Sequence, residues 1–500
     1  MGFAPSKYQQ RIYDFIEKGS GNAVINAVAG SGKTTTLINL LERVPASNRV
    51  LFLAFNKSIV EELKIKTSRF PNVEVKTLHS LGCSALRRQL SCIADINGSK
   101  YRQYLTEMLK LGVIKPTTEL ALGEKGEYKD NILKLVTLAR VNLCQSKGDI
   151  LSLARKHGIH LYDNEIFMAE QLIVWGRSEE GMTTIDFTDM IYYPCWDSSI
   201  RFPKYDLVLI DECQDLNAAQ RTLFLKCIKN GGRFIAVGDP RQAIYGFAGA
   251  DVESFNLLKN LPGTVELPLS VCYRCDKKII KKAQQEVPQI EWSEGAADGT
   301  VNEAASINDV QDGDMVLCRN SAPLAKLCMR YLGLGVKAYI KGRDIGNNLI
   351  SMLEKTKKVR IEDAMKSFHM ELDKIKSYIQ TTTGCSESEA IESEAYKSYQ
   401  DKMDAILVLG EGLKTVKQLS SRISAIFSDD THRGICLSTI HKSKGLEADR
   451  VFIVCPECLL PRHCMGIEWM AEQEHNLVYV AYTRAKHYLG TIVDFKNSIS

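Results

Sequence analysis

Five hundred residues exceed what one hydrophobic core usually serves, so two or more domains are expected. With 45% hydrophobic and 25% charged residues the chain is neither disordered nor fibrous, and no run of about 18 apolar residues is present to span a membrane. A formal net charge of +4 is too small for bulk electrostatics to announce a nucleic-acid partner, so any such assignment rests on motifs.

The opening MGFAPSKYQQ lacks the basic-then-apolar pattern of a secretory signal, which makes a reducing compartment the expectation: cytoplasmic, or nuclear in a eukaryote. The first chemical signal lies at 22–40, NAVINAVAGSGKTTTLINL, where an apolar strand runs into a glycine-rich turn and then a helix. In this P-loop pattern the backbone N–H groups of Ala29, Gly30, Ser31 and Gly32 would wrap phosphates at the positive end of the helix. Lys33 would reach the β and γ phosphates, Thr34 would ligate Mg²⁺, and Thr35 lies beside them. Ala27 replaces the usual first glycine. Residues 85–185 read as helical, with Leu, Arg and Lys at three- and four-residue spacing in YRQYLTEMLKLGV and NILKLVTLARVNL.

At 206–215, DLVLIDECQD is a buried strand ending in two carboxylates. Asp211 would hold Mg²⁺, and Glu212 would polarise an attacking water as general base. The next apolar strand, in FIAVGDPRQAIYGF at 234–247, ends in Gly238 and Asp239 and carries Gln242 as a candidate γ-phosphate sensor. Residues 346–429 again read as helical and mixed in charge, as in DAMKSFHMELDKIKSYI. Fifteen cysteines read as free thiols in a reducing compartment, although Cys272 with Cys275 and Cys455 with Cys458 have the spacing of zinc or redox pairs.

Further segments complete an ordered set: AFNKSIVEEL at 54–63, VKTLHSLG at 75–82, IDFTDMI at 185–191, LSVCYRCDKKI at 269–279, LSTIHKSKGLEADRVFIV at 437–454 and NLVYVAYTRAKHYL at 476–489. This set resembles superfamily 1 helicases of the UvrD/Rep group, with wording in FNKS and KTLHS similar to the F-box DNA helicase branch; no F-box or nuclease segment is read here. The resemblance implies an α/β fold of two RecA-like P-loop NTPase lobes. The first would comprise 1–84 and 186–260 around a helical insert at 85–185. The second would comprise 261–345 and 430–500 around a smaller insert at 346–429.

Carried over by position, the resemblance places Gln9 at the adenine edge, with Gln10 as the competing register. Tyr273 would stack on adenine, Arg274 and Arg484 would reach the γ-phosphate, and Glu447 would contact ribose or help close the site. Phe55, Tyr245 and Phe247 become candidates to stack on bases. Asn56, Thr77, His79, Thr439 and His441 become candidates to hold phosphates or sugars. The sequence departs from the family at Ala248, where an arginine is common, at AFNK, which lacks a threonine, and at CPECLLPRH after the fifth motif. The expected function is ATP- and Mg²⁺-dependent 3′-to-5′ movement on single-stranded DNA and at single-/double-strand junctions. The motor would act as a monomer, with replication or recombination proteins as partners. Two alternatives share the motifs: an ATPase that strips proteins from single strands, and a weakly hydrolysing scaffold in a repair or replication complex.

Overall fold

The computed structural model describes residues 4–112, 124–157, 159, 161, 164–246, 253–428, 434–458 and 468–493. Phe247 and Ala248 lie outside them, as does the side chain of Cys458. The chain forms two units, Met1–Val28 with Gly32–Ser270, and Ala29–Ser31 with Val271–Ser500. Among the described residues no helix is long and apolar enough to cross a membrane.

The strands of the first unit are β1 (Asn22–Ala27), β2 (Val50–Ala54), β3 (Val73–Thr77), β4 (Asp95–Ile96), β5 (Thr184–Ile185), β6 (Tyr205–Ile210), β7 (Ile228–Gly238) and β8 (Thr264–Leu269). Six of them make an all-parallel sheet in the order β3-β2-β6-β7-β1-β8, while β4 and β5 pair separately. Parallel strands need crossovers that cover both faces, which is why β2 reads VLFLA and every residue of it is buried. Its side chains alternate between two cores. Leu51 and Leu53 join Val24, Val208 and Leu223 on one face; Val50 and Phe52 join Ile25, Leu209, Ile12 and Leu37 on the other.

The boundary expected at 260/261 is corrected by β8, which pairs with β1 from Asn22↔Thr264 to Ala27↔Leu269, so the first unit runs on to Ser270. The boundary at 84/85 likewise falls inside a helix, Leu78–Gln89.

Helices Lys100–Lys110, Glu124–Val141, Lys147–Lys156 and Glu165–Gly176 form most of the insert, with their own core of Tyr101, Leu105, Ile132, Leu135, Val136 and Leu172. A buried ionic cluster fastens them to the IDFTDMI segment. Arg140 donates to both oxygens of Asp186 at 2.9 and 2.8 Å and to Asp189 at 2.8 Å. Lys100 meets the other Asp189 oxygen at 2.7 Å, and the Tyr101 hydroxyl donates to Asp189 at 3.0 Å.

The second unit contains β9 (Val271–Cys272), β10 (Glu291–Trp292), β11 (Thr300–Asn302), β12 (Met315–Cys318), β13 (Ala338–Lys341), β14 (Phe427–Ser428), β15 (Ile435–Thr439), β16 (Ala448–Val454) and β17 (Ala485–Ile492). Seven make a second parallel sheet, β11-β17-β16-β12-β15-β13-β14, and β9 pairs with β10. The segment 346–429 does not form a separate body. Leu353, Phe368, Ile406 and Ile423 share one core with Val316, Ile340 and Leu437 of the sheet. Its expected start at 346 falls inside the helix Arg343–Lys355, where a Cβ on Gly346 would lie 2.7 Å from Phe427.

Removing one partner from a buried ion cluster leaves charges without compensation, at a cost of about 3–5 kcal/mol. Asp189→Ala is therefore expected to lower stability by about that much in urea unfolding at neutral pH. Burial pushes the Asp189 carboxyl up, but Arg140 and Lys100 outweigh it and hold it below the ordinary carboxylate value. Its stabilisation is present above the unfolded-state value and lost as pH falls through the folded-state one. The gap between wild type and Asp189→Ala should therefore narrow in acid; a gap that widens would show that Asp189 is not the anchoring charge.

Candidate functional site

The P-loop follows β1 and the Asp-Glu pair follows β6, yet these strands are not neighbours: β7 lies between them. All three end at the same sheet edge, where a parallel α/β sheet collects its loops. Gly30 and Gly32 adopt φ of +66° and +77°, a region open to glycine, and Lys33 opens the helix Lys33–Leu40. Lys33 Nζ lies 2.8 and 2.9 Å from the two Glu212 carboxylate oxygens. The Thr34 hydroxyl donates to Asp211 at 2.7 Å. Glu212 itself has φ +55°, a strained value for a residue with a side chain. Ala29 and Ser31 are buried, the Ser31 hydroxyl has no hydrogen-bond partner, and Thr35 is exposed.

Burial draws the Lys33 ammonium downward, but Glu212, Asp211 and Asp239 outweigh it and hold it charged above its ordinary value. Asp211 is pushed well above the carboxylate range, first by burial and then by the Glu212 charge, against the pull of Lys33 and Thr34. Asp239 is raised by burial despite Lys33 and its bond from Gln242. The Gln242 amide donates to Asp239 at 2.6 Å. Gln9 rather than Gln10 belongs to this group: its amide donates to Thr36 on the P-loop helix at 3.0 Å, whereas Gln10 bonds Asp14 at the surface.

In the second unit Tyr273 is 49% exposed. Arg274 donates to Glu447 at 2.7 Å and to the Thr483 carbonyl at 3.1 Å, and Lys486 also reaches Glu447 at 3.1 Å. These cations hold the Glu447 carboxyl below its ordinary value against the upward effect of burial, which is the largest single influence. Arg484 is only 1% exposed. It donates to the carbonyls of Val480 (2.9 Å) and Leu446 (3.1 Å) and to the Thr483 hydroxyl (3.2 Å).

The candidates for strand contact sit at strand ends. Phe55, 48% exposed, and Asn56 follow β2; Thr77 ends β3; Tyr245 follows β7; Thr439 ends β15 and His441 follows it. Asn56, Thr77 and Thr439 each cap the helix that comes next, accepting from the backbone N–H of Ile59, Ser80 and Lys442. Capping uses a hydroxyl's lone pair, so Thr77 and Thr439 keep an O–H with which to donate. Burial lowers His79 and takes His441 down to about 3, with Arg319 and Lys442 adding to the latter. Both imidazoles are therefore neutral hydrogen-bonding groups at neutral pH.

The family model of the UvrD/REP helicase N-terminal domain matches residues 8–262, and that of the UvrD-like helicase C-terminal domain matches 329–494. The chain belongs to the UvrD/Rep helicase family. It is 24% identical to the F-box DNA helicase protein 1 of Schizosaccharomyces pombe, over 93% of this chain and 55% of that protein. It is also 24% identical to the F-box DNA helicase 1 of Gallus gallus, over 96% and 48% respectively. With the ATP-dependent DNA helicase Rep of Escherichia coli it shares 23% identity over 55% of this chain and 42% of Rep. The chain spans about half the length of these curated relatives.

Within this UvrD/Rep-family site, sequence reading did not single out Gln214, although it stands two residues after Glu212 in DECQD. Its amide donates to Glu212 at 2.6 Å while its oxygen accepts from the Asp239 backbone at 3.0 Å, tying the end of β6 to the end of β7. The tie requires Gly238. A Cβ there would lie 2.6 Å from the Gln214 oxygen and 2.7 Å from the Cys213 sulfur. Gly238→Ala is expected to cost about 1–3 kcal/mol through overpacking, read as a lower urea midpoint, and Gly238→Val more; an unchanged midpoint for both would show that the strand ends part freely.

Proposed function

We propose that this chain is the motor of an ATP-driven DNA translocase and helicase that moves 3′ to 5′ on single-stranded DNA and opens duplex at single-/double-strand junctions. The observation that carries the reading is the meeting of P-loop and acidic strand end in the first unit: Lys33 with Glu212 at 2.8 Å and Thr34 with Asp211 at 2.7 Å. The donor set fits a triphosphate. Ser31 offers a buried hydroxyl without a partner, and Lys33 is held charged by the carboxylates around it.

Thr34 and Asp211 fit Mg²⁺, since burial and the Glu212 charge disfavour the ionised Asp211 carboxylate and a hard divalent cation would reverse that. When bound, the ion would bridge phosphate oxygens and spread their charge. Lys33 would exchange Glu212 for those oxygens, which leaves Glu212 to accept the proton of an attacking water. Gln242, steadied by Asp239, would sense the γ-phosphate. Gln9 and Tyr273 would hold the adenine, and Glu447 the ribose. Arg274 and Arg484 would neutralise charge developing during transfer, and a guanidinium in that role is worth about 10³ to 10⁵ in rate.

Phe55, Tyr245 and Phe247 would stack on bases at about 1–3 kcal/mol each, independent of sequence. Asn56, Thr77, His79, Thr439 and His441 would hold the backbone by hydrogen bonds. Opening a base-pair step costs about 1.4 kcal/mol on average, so one ATP per nucleotide is ample. Polarity follows the family resemblance, and the relatives' names as DNA helicases support the substrate class.

ATP hydrolysis should require Mg²⁺ and be strongly stimulated by single-stranded DNA. Lys33→Ala and Glu212→Gln should abolish it, the second while still binding ATP; turnover in either would sink the assignment. Arg274→Ala should lose about 10³-fold in hydrolysis with ATP affinity falling only modestly. Strand displacement on 3′- and 5′-tailed substrates tests direction: unwinding of the 5′-tailed duplex alone would overturn it, and stimulated ATPase with no unwinding of either would point to protein displacement.

A further inference from the structure

Cys272 and Cys275 stand on either side of Tyr273 and Arg274, in the run V-C-Y-R-C. Both thiols are buried, at 0% and 3% exposure, although Tyr273 between them is 49% exposed. The Cys275 thiol hydrogen-bonds the Cys272 sulfur and also reaches the Thr483 carbonyl at 3.8 Å. That carbonyl is the one that accepts from Arg274 at 3.1 Å. The two sulfurs thus face each other, and one of them shares its anchor with the arginine.

The environment also divides their roles. Cys272 is drawn below the ordinary thiol value, first by the bond from Cys275 and then, against burial, by the backbone N–H groups of Cys275 and Arg274 and by the Arg274 charge. Cys275 is pushed up by the same bond and by burial. A Cys-X-X-Cys pair with one thiolate-leaning sulfur and one proton-holding neighbour has the layout of an attacking and a resolving cysteine.

We propose that Cys272 and Cys275 are a reversible disulfide site for small peroxides, set so that closing the bond displaces Tyr273 and Arg274. Cys272 attacks a peroxide oxygen, the O–O bond breaks, and sulfenic acid forms with loss of water. Cys275 then attacks that sulfur, the S–S bond forms and a second water leaves. Two sulfurs lose two electrons in all, and the peroxide gains them. A dithiol returns two electrons and two protons and restores the pair. Burial favours a small reagent over a protein disulfide. Closure takes the Cys275 hydrogen bond away from Thr483 and draws the loop between the sulfurs tighter. Its effect on nucleotide use rests on the ATPase reading above.

The test uses the full chain, treated with hydrogen peroxide, alkylated under denaturing conditions and digested with trypsin. Cleavage after Arg274 falls between the two sulfurs, so a disulfide joins peptide 260–274 to peptide 275–277. The joined pair is expected to appear with peroxide, vanish with dithiothreitol, and be missing from Cys272→Ser and Cys275→Ser. DNA-stimulated ATP turnover should fall in proportion to the joined fraction and return on reduction, while each serine variant, compared with itself, keeps its turnover through the same treatment. Peroxide that oxidises other cysteines without joining these peptides would overturn the proposal. So would a joined pair with unchanged turnover and unchanged affinity for a fluorescent ATP analogue. A reduced protein without ATPase would count against the function proposed above, while the peptide map still decides whether the two sulfurs pair.

Discussion

The Lys33 ammonium, buried among Glu212, Asp211 and Asp239, is the charge around which the first unit's strand ends are arranged. Each carboxylate comes from a different piece of chain, two from the end of β6 and one from the end of β7, while the lysine follows β1. Without the cation, three buried acids would face one another; without the acids, the lysine would lose its proton to desolvation. The left-handed Glu212, the Gln214 tie and the close approach at Gly238 are all means of holding those acids around one point. Strain is tolerated there because the sheet fixes the strands that carry it.

A second set of buried charges does a different task. Arg140, Lys100, Asp186 and Asp189 are linked to one another and secure helices to the edge of a sheet, away from the phosphate-binding loop. Motif-level similarity does not separate such an anchor from a chemical site, since both are rich in aspartate. Geometry does. The anchor's acids are already matched by two cations, whereas Asp211 remains pushed toward its neutral form.

In the second unit the two candidate arginines are held differently. Arg274 rests on a carboxylate, Glu447, which an incoming anion can replace. Arg484 is bound by carbonyls and a hydroxyl at 1% exposure, an arrangement that fixes its position and supplies no opposite charge among those three bonds. A guanidinium cannot shed its proton under such conditions, so its charge stays available to a phosphate.

The sequence by itself determined the local chemistry. A strand, a glycine-rich turn and a lysine can be read from NAVINAVAGSGKTTT because backbone freedom and helix-end charge are properties of neighbouring residues. The apolar run into Asp-Glu is equally local, and so are the threonines placed to cap a helix. What only the tertiary structure decided is which of these meet. That β7 lies between β1 and β6, that β8 adds to the first sheet past the expected boundary, and that residues 346–429 share the second sheet's core all depend on crossovers spanning tens to hundreds of residues. The choice of Gln9 over Gln10 and the tie through Gln214 were settled in the same way. Hydrogen bonds and buried ion pairs act over a few ångströms in space, and no spacing along a chain fixes such distances between strands that are not neighbours in sequence.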